Sequence, residues 1–303
     1  MISRREFVMT GAAYAGAQTL SPALAQTSPL IRKAIPSSGE MIPVIGLGTA
    51  RRYEDVKGEA DMPPLRETLK AFKASGLTVI DSSPSYGTAE AVVGEILEEQ
   101  KSRPGLFLAT KVSIMGREAG INQIEQSFKK LRTDKIDLLA VHNLRDIDVH
   151  LKTLRDMKQQ GRIRYIGATT SFDNQYADFE AMMRRETLDF IQVDYALDNR
   201  NAGERILPLA KDRGMAVMVN LPFGRGRLFS AVQGKPLPAW AAEFDCKSWA
   251  QFFLKFIVSH PAITCTMPGM ARPDYVTDNA GAAQGRLPDA AARLKMEQFI
   301  DTL

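Results

Sequence analysis

The chain has 303 residues, 45% of them hydrophobic and 24% charged, with a net charge of +4 and two cysteines. That composition belongs to a globular protein long enough to bury a substantial core. A charge this small, spread along the chain, excludes a nucleic-acid-binding footprint. Cys246 and Cys265 are too few for a disulfide framework, and no His/Cys/carboxylate cluster has the spacing of a metal site.

The amino terminus carries a twin-arginine pattern, Ser3-Arg4-Arg5-Glu6-Phe7-Val8. A weakly apolar run from Met9 to Leu20 follows, and then the small-x-small triplet Ala23-Leu24-Ala25. Three signals in this order predict a cleavable export peptide over residues 1–25, handled by the twin-arginine translocation machinery, and a periplasmic destination. An ordinary amphipathic helix is the alternative. The apolar run is too short and weak to span a membrane, which takes about 20 apolar residues.

Residues 26–303 alternate between two textures. Strand-like apolar runs fall at 41–49, 78–83, 106–112, 136–143, 163–170, 189–197, 215–223 and 263–269. Between them lie helix-period stretches such as LRETLKAFKAS, INQIEQSFKKLR and YADFEAMMRRE, with Gly76, Gly161 and Gly214 where helices end. Eight such strands, apolar on both faces and separated by helices, predict a parallel sheet. Eight is also the number that closes a (β/α)8 TIM barrel, whose typical length of about 250 residues is close to what remains here. The preceding segment IRKAIPSSGEMIPVI reads as a β-hairpin around Ser37-Ser38-Gly39, placed to plug the barrel's bottom. A helix from Asp289 to Leu303 follows the last unit.

Four polar residues sit at or just past consecutive strand ends. Asp81 ends the second run, in TVIDSSPSY, and Tyr86 lies in the loop behind it. Lys111 nearly ends the third, in LFLATKV, and His142 the fourth, in IDLLAVHN. Chemistry in such barrels gathers at the carboxyl ends of the strands. Singly, each residue has an ordinary explanation: a helix cap, a surface charge, a core imidazole. Together they suit carbonyl reduction. A phenol near pKa ~10 is a poor acid at neutral pH, and a neighbouring ammonium lowers that value. The carboxylate keeps the lysine charged and in place, and the imidazole orients the carbonyl oxygen. Hydride must come from elsewhere.

The same stretches carry a resemblance. IPVIGLGTA, GLTVIDSSPSYGTAEAVVGEIL, ATKVS, IDLLAVHN, GRIRYIGATTSF, IQVDYALDNR, LPFGRG and MPGMARPDYVTDN resemble the aldo-keto reductase superfamily, from about Ile42 to Asn279. The block from Gly76 to Gly94 is the most specific, with Glu90 and Gly94 at the family's offsets. The resemblance implies a (β/α)8 barrel, a nicotinamide coenzyme held without a Rossmann fold, and a catalytic set of Asp81, Tyr86, Lys111 and His142. No GxGxxG follows a strand, so the coenzyme rests on the resemblance.

The coenzyme positions match unevenly. Gly48 and Thr49 match the loop after the first barrel strand, and Gln192 the residue that bonds the nicotinamide amide. Thr169 and Thr170 stand where the family commonly has Ser-Asn, and Asn220 where an aromatic stacks on the nicotinamide. At the phosphate end Gly269 follows Pro268 where many members have Lys-Ser. Arg272 is then expected at a 2′-phosphate, Asp278 and Asn279 at the adenine, and Arg225 at the pyrophosphate. This favours NADP(H), with NAD(H) admissible, acting on a small-molecule carbonyl; Tyr53, Phe223 and Trp240 are candidate walls. Asn220 and the Thr pair keep two other readings open: a low-turnover coenzyme-holding sensor or partner protein, and a barrel lyase or dehydratase with retained coenzyme.

Overall fold

The computed structural model describes residues 28–303, so the segment read as an export peptide lies outside the described residues. The apolar run at 41–49 serves two elements. Met41–Pro43 (β2) pairs antiparallel with Arg32–Ala34 (β1), while Leu47–Gly48 (β3) starts the main sheet. The other strands are β4 (Val79–Asp81), β5 (Phe107–Val112), β6 (Ile136–Val141), β7 (Ile163–Thr169), β8 (Phe190–Asp194), β9 (Ala216–Asn220) and β10 (Cys265–Thr266). From β3 to β10 each strand pairs parallel with the next in chain order. Bridges from Ile45 to Thr266 and from Gly48 to Gly269 join the last strand to the first, and the Gly48 N–H donates to the Pro268 carbonyl at 3.0 Å. The expected (β/α)8 barrel is thereby closed.

The helices are α1 (Met62–Ala74), α2 (Ala89–Glu99), α3 (Arg117–Lys130), α4 (Ile147–Gln159), α5 (Tyr176–Arg185), α6 (Ile206–Asp212), α7 (Arg227–Ala231), α8 (Trp249–Val258), α9 (Pro273–Gly281) and α10 (Ala290–Asp301). Helices α1 to α6 and α8 are the crossover helices; α7 lies in the loop after β9, α9 follows the last strand, and α10 closes the chain. Their ends follow local chemistry. Gly76 and Gly161, at φ 78° and 73°, stop α1 and α4 in a backbone region that only glycine enters without strain. Asp289 caps α10 by accepting the Ala292 N–H at 2.8 Å.

Alternation along each strand sorts the barrel into layers. Phe107 and Ala109 of β5 point inward and pack with Val79, Leu138, Tyr165, Phe190, Ala216, Met218 and Cys265 in one buried cluster. Ile35 and Ile42 of the hairpin belong to that cluster, so the hairpin does plug the bottom. Its tethers are polar. Tyr165 donates to the Glu40 carboxylate at 2.6 Å, Arg164 pairs with the same carboxylate, and Lys33 donates to the carbonyls of Val258, His260 and Ile263 at 2.7 to 3.0 Å. An apolar lower barrel leaves only the carboxyl end of the strands for polar chemistry.

Gly94 shows how closely the outer layer is packed. A Cβ there would collide with the Lys130 carbonyl and the Leu131 backbone at the end of α3. Gly94→Ala should therefore lower stability by about 1–3 kcal/mol, seen as a lower urea midpoint at unchanged slope.

Candidate active site

Lys111 continues the inward face of Phe107 and Ala109, one layer above them, and is 2% exposed. A buried ammonium is stable only when paired and hydrogen-bonded. Its Nζ donates to both Asp81 carboxylate oxygens, at 2.7 and 2.9 Å, and to the Ser82 carbonyl at 2.7 Å. Gln192, on the far side of the barrel, donates its amide N–H to Asp81 at 3.1 Å. Burial pulls the Lys111 pKa down, but Asp81 and Tyr86 outweigh it and leave it above the usual lysine value. Lys111 is thus a fixed cation.

Tyr86 is delivered by the tight Ser83–Tyr86 turn, whose Tyr86 N–H donates to the Ser83 carbonyl at 3.0 Å. The next residue, Gly87, lies at φ 48° against the Glu54 carbonyl, where a Cβ would collide. Thr88 stitches the same two loops: its N–H donates to the Glu54 carbonyl at 3.1 Å and its hydroxyl to the Tyr53 carbonyl at 2.7 Å. Lys111 Nζ lies 5.2 Å from the Tyr86 ring centroid. The expectation that lysine would acidify this phenol holds only in part. Burial raises the phenol's pKa first, the Lys111 cation pulls it back, and the balance remains above the ordinary tyrosine value. Tyr86 is therefore protonated across the physiological range.

His142, directly after β6, meets the Tyr86 ring edge-on at 5.9 Å between centroids. Its Nδ1 contacts the hydroxyls of Ser83 at 3.1 Å and Ser85 at 3.4 Å. When Ser83 donates to Nδ1, the ring proton sits on Nε2. Burial, with Lys111 and Arg145 nearby, depresses the imidazole pKa to about 3. The ring is a neutral donor, not a general acid. Ser83 and Ser85 were not singled out in the sequence, although their place in SSPSY was the available signal.

Asp81, Tyr86 and His142 line one cleft of about 460 Å³, together with Gly48, Gln192, Asn220, Arg225 and Gly269 of the expected coenzyme residues. Phe223 is also there; Tyr53 and Trp240 are not. Tyr53 is wholly buried, and Trp240 packs on Phe244, Phe252 and Phe299. Following a strand end, or lying in a long loop, does not reveal which way a side chain turns. Arg51, Arg52, Glu54 and Met267 line the cleft unforeseen.

Several expected coenzyme contacts are engaged within the protein. The Thr49 hydroxyl donates to the Asp81 carbonyl at 3.0 Å, and Thr169 accepts the Asn143 N–H at 3.1 Å. The Thr170 hydroxyl donates to Gln175 at 2.7 Å. Thr170 thus spends its hydroxyl proton on bracing a loop, whereas Thr169 accepts a backbone N–H and keeps its own proton to give. Gly48 has a packing reason as well, since a Cβ would press on the Met267 carbonyl. Arg272 is exposed and donates twice to Asp274, at 3.0 and 2.8 Å, so it is not a free phosphate clamp. Asp278 accepts from Ser248 and Gln251 beside a second depression, and Asn279 is buried. Asn220 fits a ligand better than its departure from the family suggested. Its amide N–H is bound to the Thr170 carbonyl at 3.3 Å, and its buried Oδ1 has no partner among the described residues. With Gln192 it offers amide acceptors of the kind a carboxamide requires. Among the described residues no His/Cys/carboxylate cluster could hold a metal, and no helix is long and apolar enough to cross a membrane.

The Aldo/keto reductase family profile matches residues 44–294. Aldo-keto reductase YhdN of Bacillus subtilis (strain 168) is 32% identical over 199 residues, which is 61% of this chain and 59% of that protein. Methylglyoxal reductase YeaE of Escherichia coli (strain K12) is 28% identical over 271 residues, 86% of this chain and 92% of its own length. The crystal structure of an aldo/keto reductase from Klebsiella pneumoniae, in complex with NADP and acetate, superposes with a TM-score of 0.72 at 23% identity, covering 89% of this chain and 96% of that one; this likeness is one of fold.

The depressed His142 pKa has a consequence for pH dependence. The unfolded state takes up the proton near the usual pKa of ~6.5, the folded state only near 3. The stability this ring contributes is complete above ~6.5 and is lost as pH falls toward 3. Imidazole ¹⁵N shifts should show His142 neutral at pH 5, and His142→Gln should flatten the acid limb of a stability–pH curve.

Proposed function

The chain belongs to the aldo/keto reductase family, and from that premise we propose that it reduces aldehyde or ketone carbonyls to alcohols with NADP(H), NAD(H) being admissible. One observation carries the reading: a protonated phenol, a neutral imidazole and a buried Lys–Asp pair converge at one cleft on the carboxyl face of the barrel. The bound nicotinamide supplies hydride to the carbonyl carbon. Gln192 and Asn220 would hold its carboxamide, and Arg225, where the cleft meets a second cavity lined by Asp194 and Arg227, suits its phosphates.

The chain's own residues do the proton work. His142 Nε2–H hydrogen-bonds the carbonyl oxygen and, being neutral, leaves the proton transfer to the phenol. Tyr86 gives its proton to the oxygen as negative charge develops there. Lys111 stabilises the phenolate left behind, and Asp81 keeps Lys111 charged and aimed. In the reverse direction the same phenolate accepts the alcohol proton. The low-turnover reading draws on Asn220, which gives the coenzyme no aromatic face; measurable turnover with simple aldehydes removes it.

Tyr86→Phe should lower kcat for aldehyde reduction by about 10²- to 10⁴-fold while the fluorescence-titrated Kd for NADPH stays within about twofold. Normal turnover by that variant would overturn the proton-donor assignment.

Export rests on the amino-terminal pattern alone. A periplasmic enzyme should accumulate in the cytoplasm when Arg4→Lys and Arg5→Lys are combined, by cell fractionation. Unchanged localisation would remove the twin-arginine route.

A further inference from the structure

The cleft that holds Tyr86 and His142 is also lined by Arg51, Arg52 and Arg225, all exposed. No guanidinium of the three donates to a protein acceptor among the described residues. Several arginines elsewhere are paired with carboxylates: Arg66 with Glu59 and Glu99, Arg162 with Glu125, Arg200 with Asp301. The cleft's carboxylates do not balance them. Asp81 is committed to Lys111, which leaves Glu54 alone against three guanidiniums.

The backbone adds an independent observation. Arg51 and Arg225 are held at φ 58° and 57°, in the left-handed region. Such a conformation costs a side-chain-bearing residue about 1–2 kcal/mol, and strain of this kind gathers at functional sites. Asn143 and Leu221, on the same rim, share it at φ 52° and 51°. The same cleft has an aromatic wall, Phe223 against Phe229 at 4.8 Å between centroids.

We propose that the substrate is a short-chain carbonyl compound bearing a carboxylate, with Arg51 and Arg52 taking the carboxylate while the carbonyl lies between Tyr86 and His142. The inference rests on the carbonyl-reductase reading and deepens it. Guanidinium groups bind carboxylates through paired N–H donors, so one end of the substrate is fixed by charge and the other by hydrogen bonds. A short apolar chain between the two suits the aromatic wall. The coenzyme's phosphates are the other anion these arginines can meet, and the test separates the two.

The experiment compares 4-oxobutanoate with its methyl ester, which keeps the chain and removes the charge. The wild-type protein should prefer the acid by about 10- to 100-fold in kcat/KM, the size of a charge-assisted hydrogen bond. Arg51→Gln combined with Arg52→Gln should collapse that ratio, Arg51→Lys with Arg52→Lys should retain part of it, and the ratio should fall with added salt. Equal reduction of acid and ester by the wild type overturns the inference and leaves the reductase reading standing. An unchanged ratio with a raised Kd for NADPH in the Gln variant assigns the arginines to the coenzyme and also overturns it. Failure to reduce either compound while simple aldehydes are turned over overturns the inference and leaves the reductase reading standing; failure on the simple aldehydes as well removes both.

Discussion

The buried pair of Lys111 and Asp81 is the interaction on which the site depends. Placing two charges inside a barrel costs several kcal/mol per ion in lost hydration. Their mutual contact, the Ser82 carbonyl and the Gln192 amide offset that cost. Apolar side chains of similar volume would often be as stable or more so. The pair is better understood through what it does to its neighbours. It places a fixed cation beside a phenol that burial holds protonated, and it helps keep the adjacent imidazole neutral. Phenol and imidazole are thereby both held in their uncharged forms by their environment.

The barrel makes this placement affordable. Aromatic and aliphatic side chains fill its lower layers, with the hairpin's Ile35 and Ile42 sealing them from below. Water therefore reaches the ion pair only from the carboxyl face. On that face Gly48 and Gly269 let the first and last strands meet, and Gly87 lets the Tyr86 loop touch the Glu54 loop. The rim departs from regular geometry, with non-glycine residues in left-handed conformations around the cleft. A packed apolar floor beneath a strained rim leaves the polar set at the carboxyl ends of the strands, bordered by the loops that line the cleft.

The polar cluster at the cleft was legible because short apolar strands punctuated by one polar residue are conspicuous, and strand ends are where such barrels keep chemistry. Asp81, Lys111 and His142 each interrupt an apolar run for no packing reason. The walls were less legible. Tyr53 and Trp240 both lie past strand ends, yet one is interior and the other packs on the last helix. The hydroxyl protons of Thr49 and Thr170 and the guanidinium of Arg272 are taken by neighbours that sequence order does not disclose.

Periodicity and strand count fixed the barrel, because the alternation of apolar strands with helices has few ways to bury itself, and the polar interruptions at strand ends picked out residues that converge at one cleft. The tertiary structure alone decided their protonation. Burial and opposing charge set a pKa, and both are sums over groups distant in sequence, such as Gln192 bonding Asp81 across the barrel. It also decided which arginines are free, since pairing depends on what each side chain meets after folding.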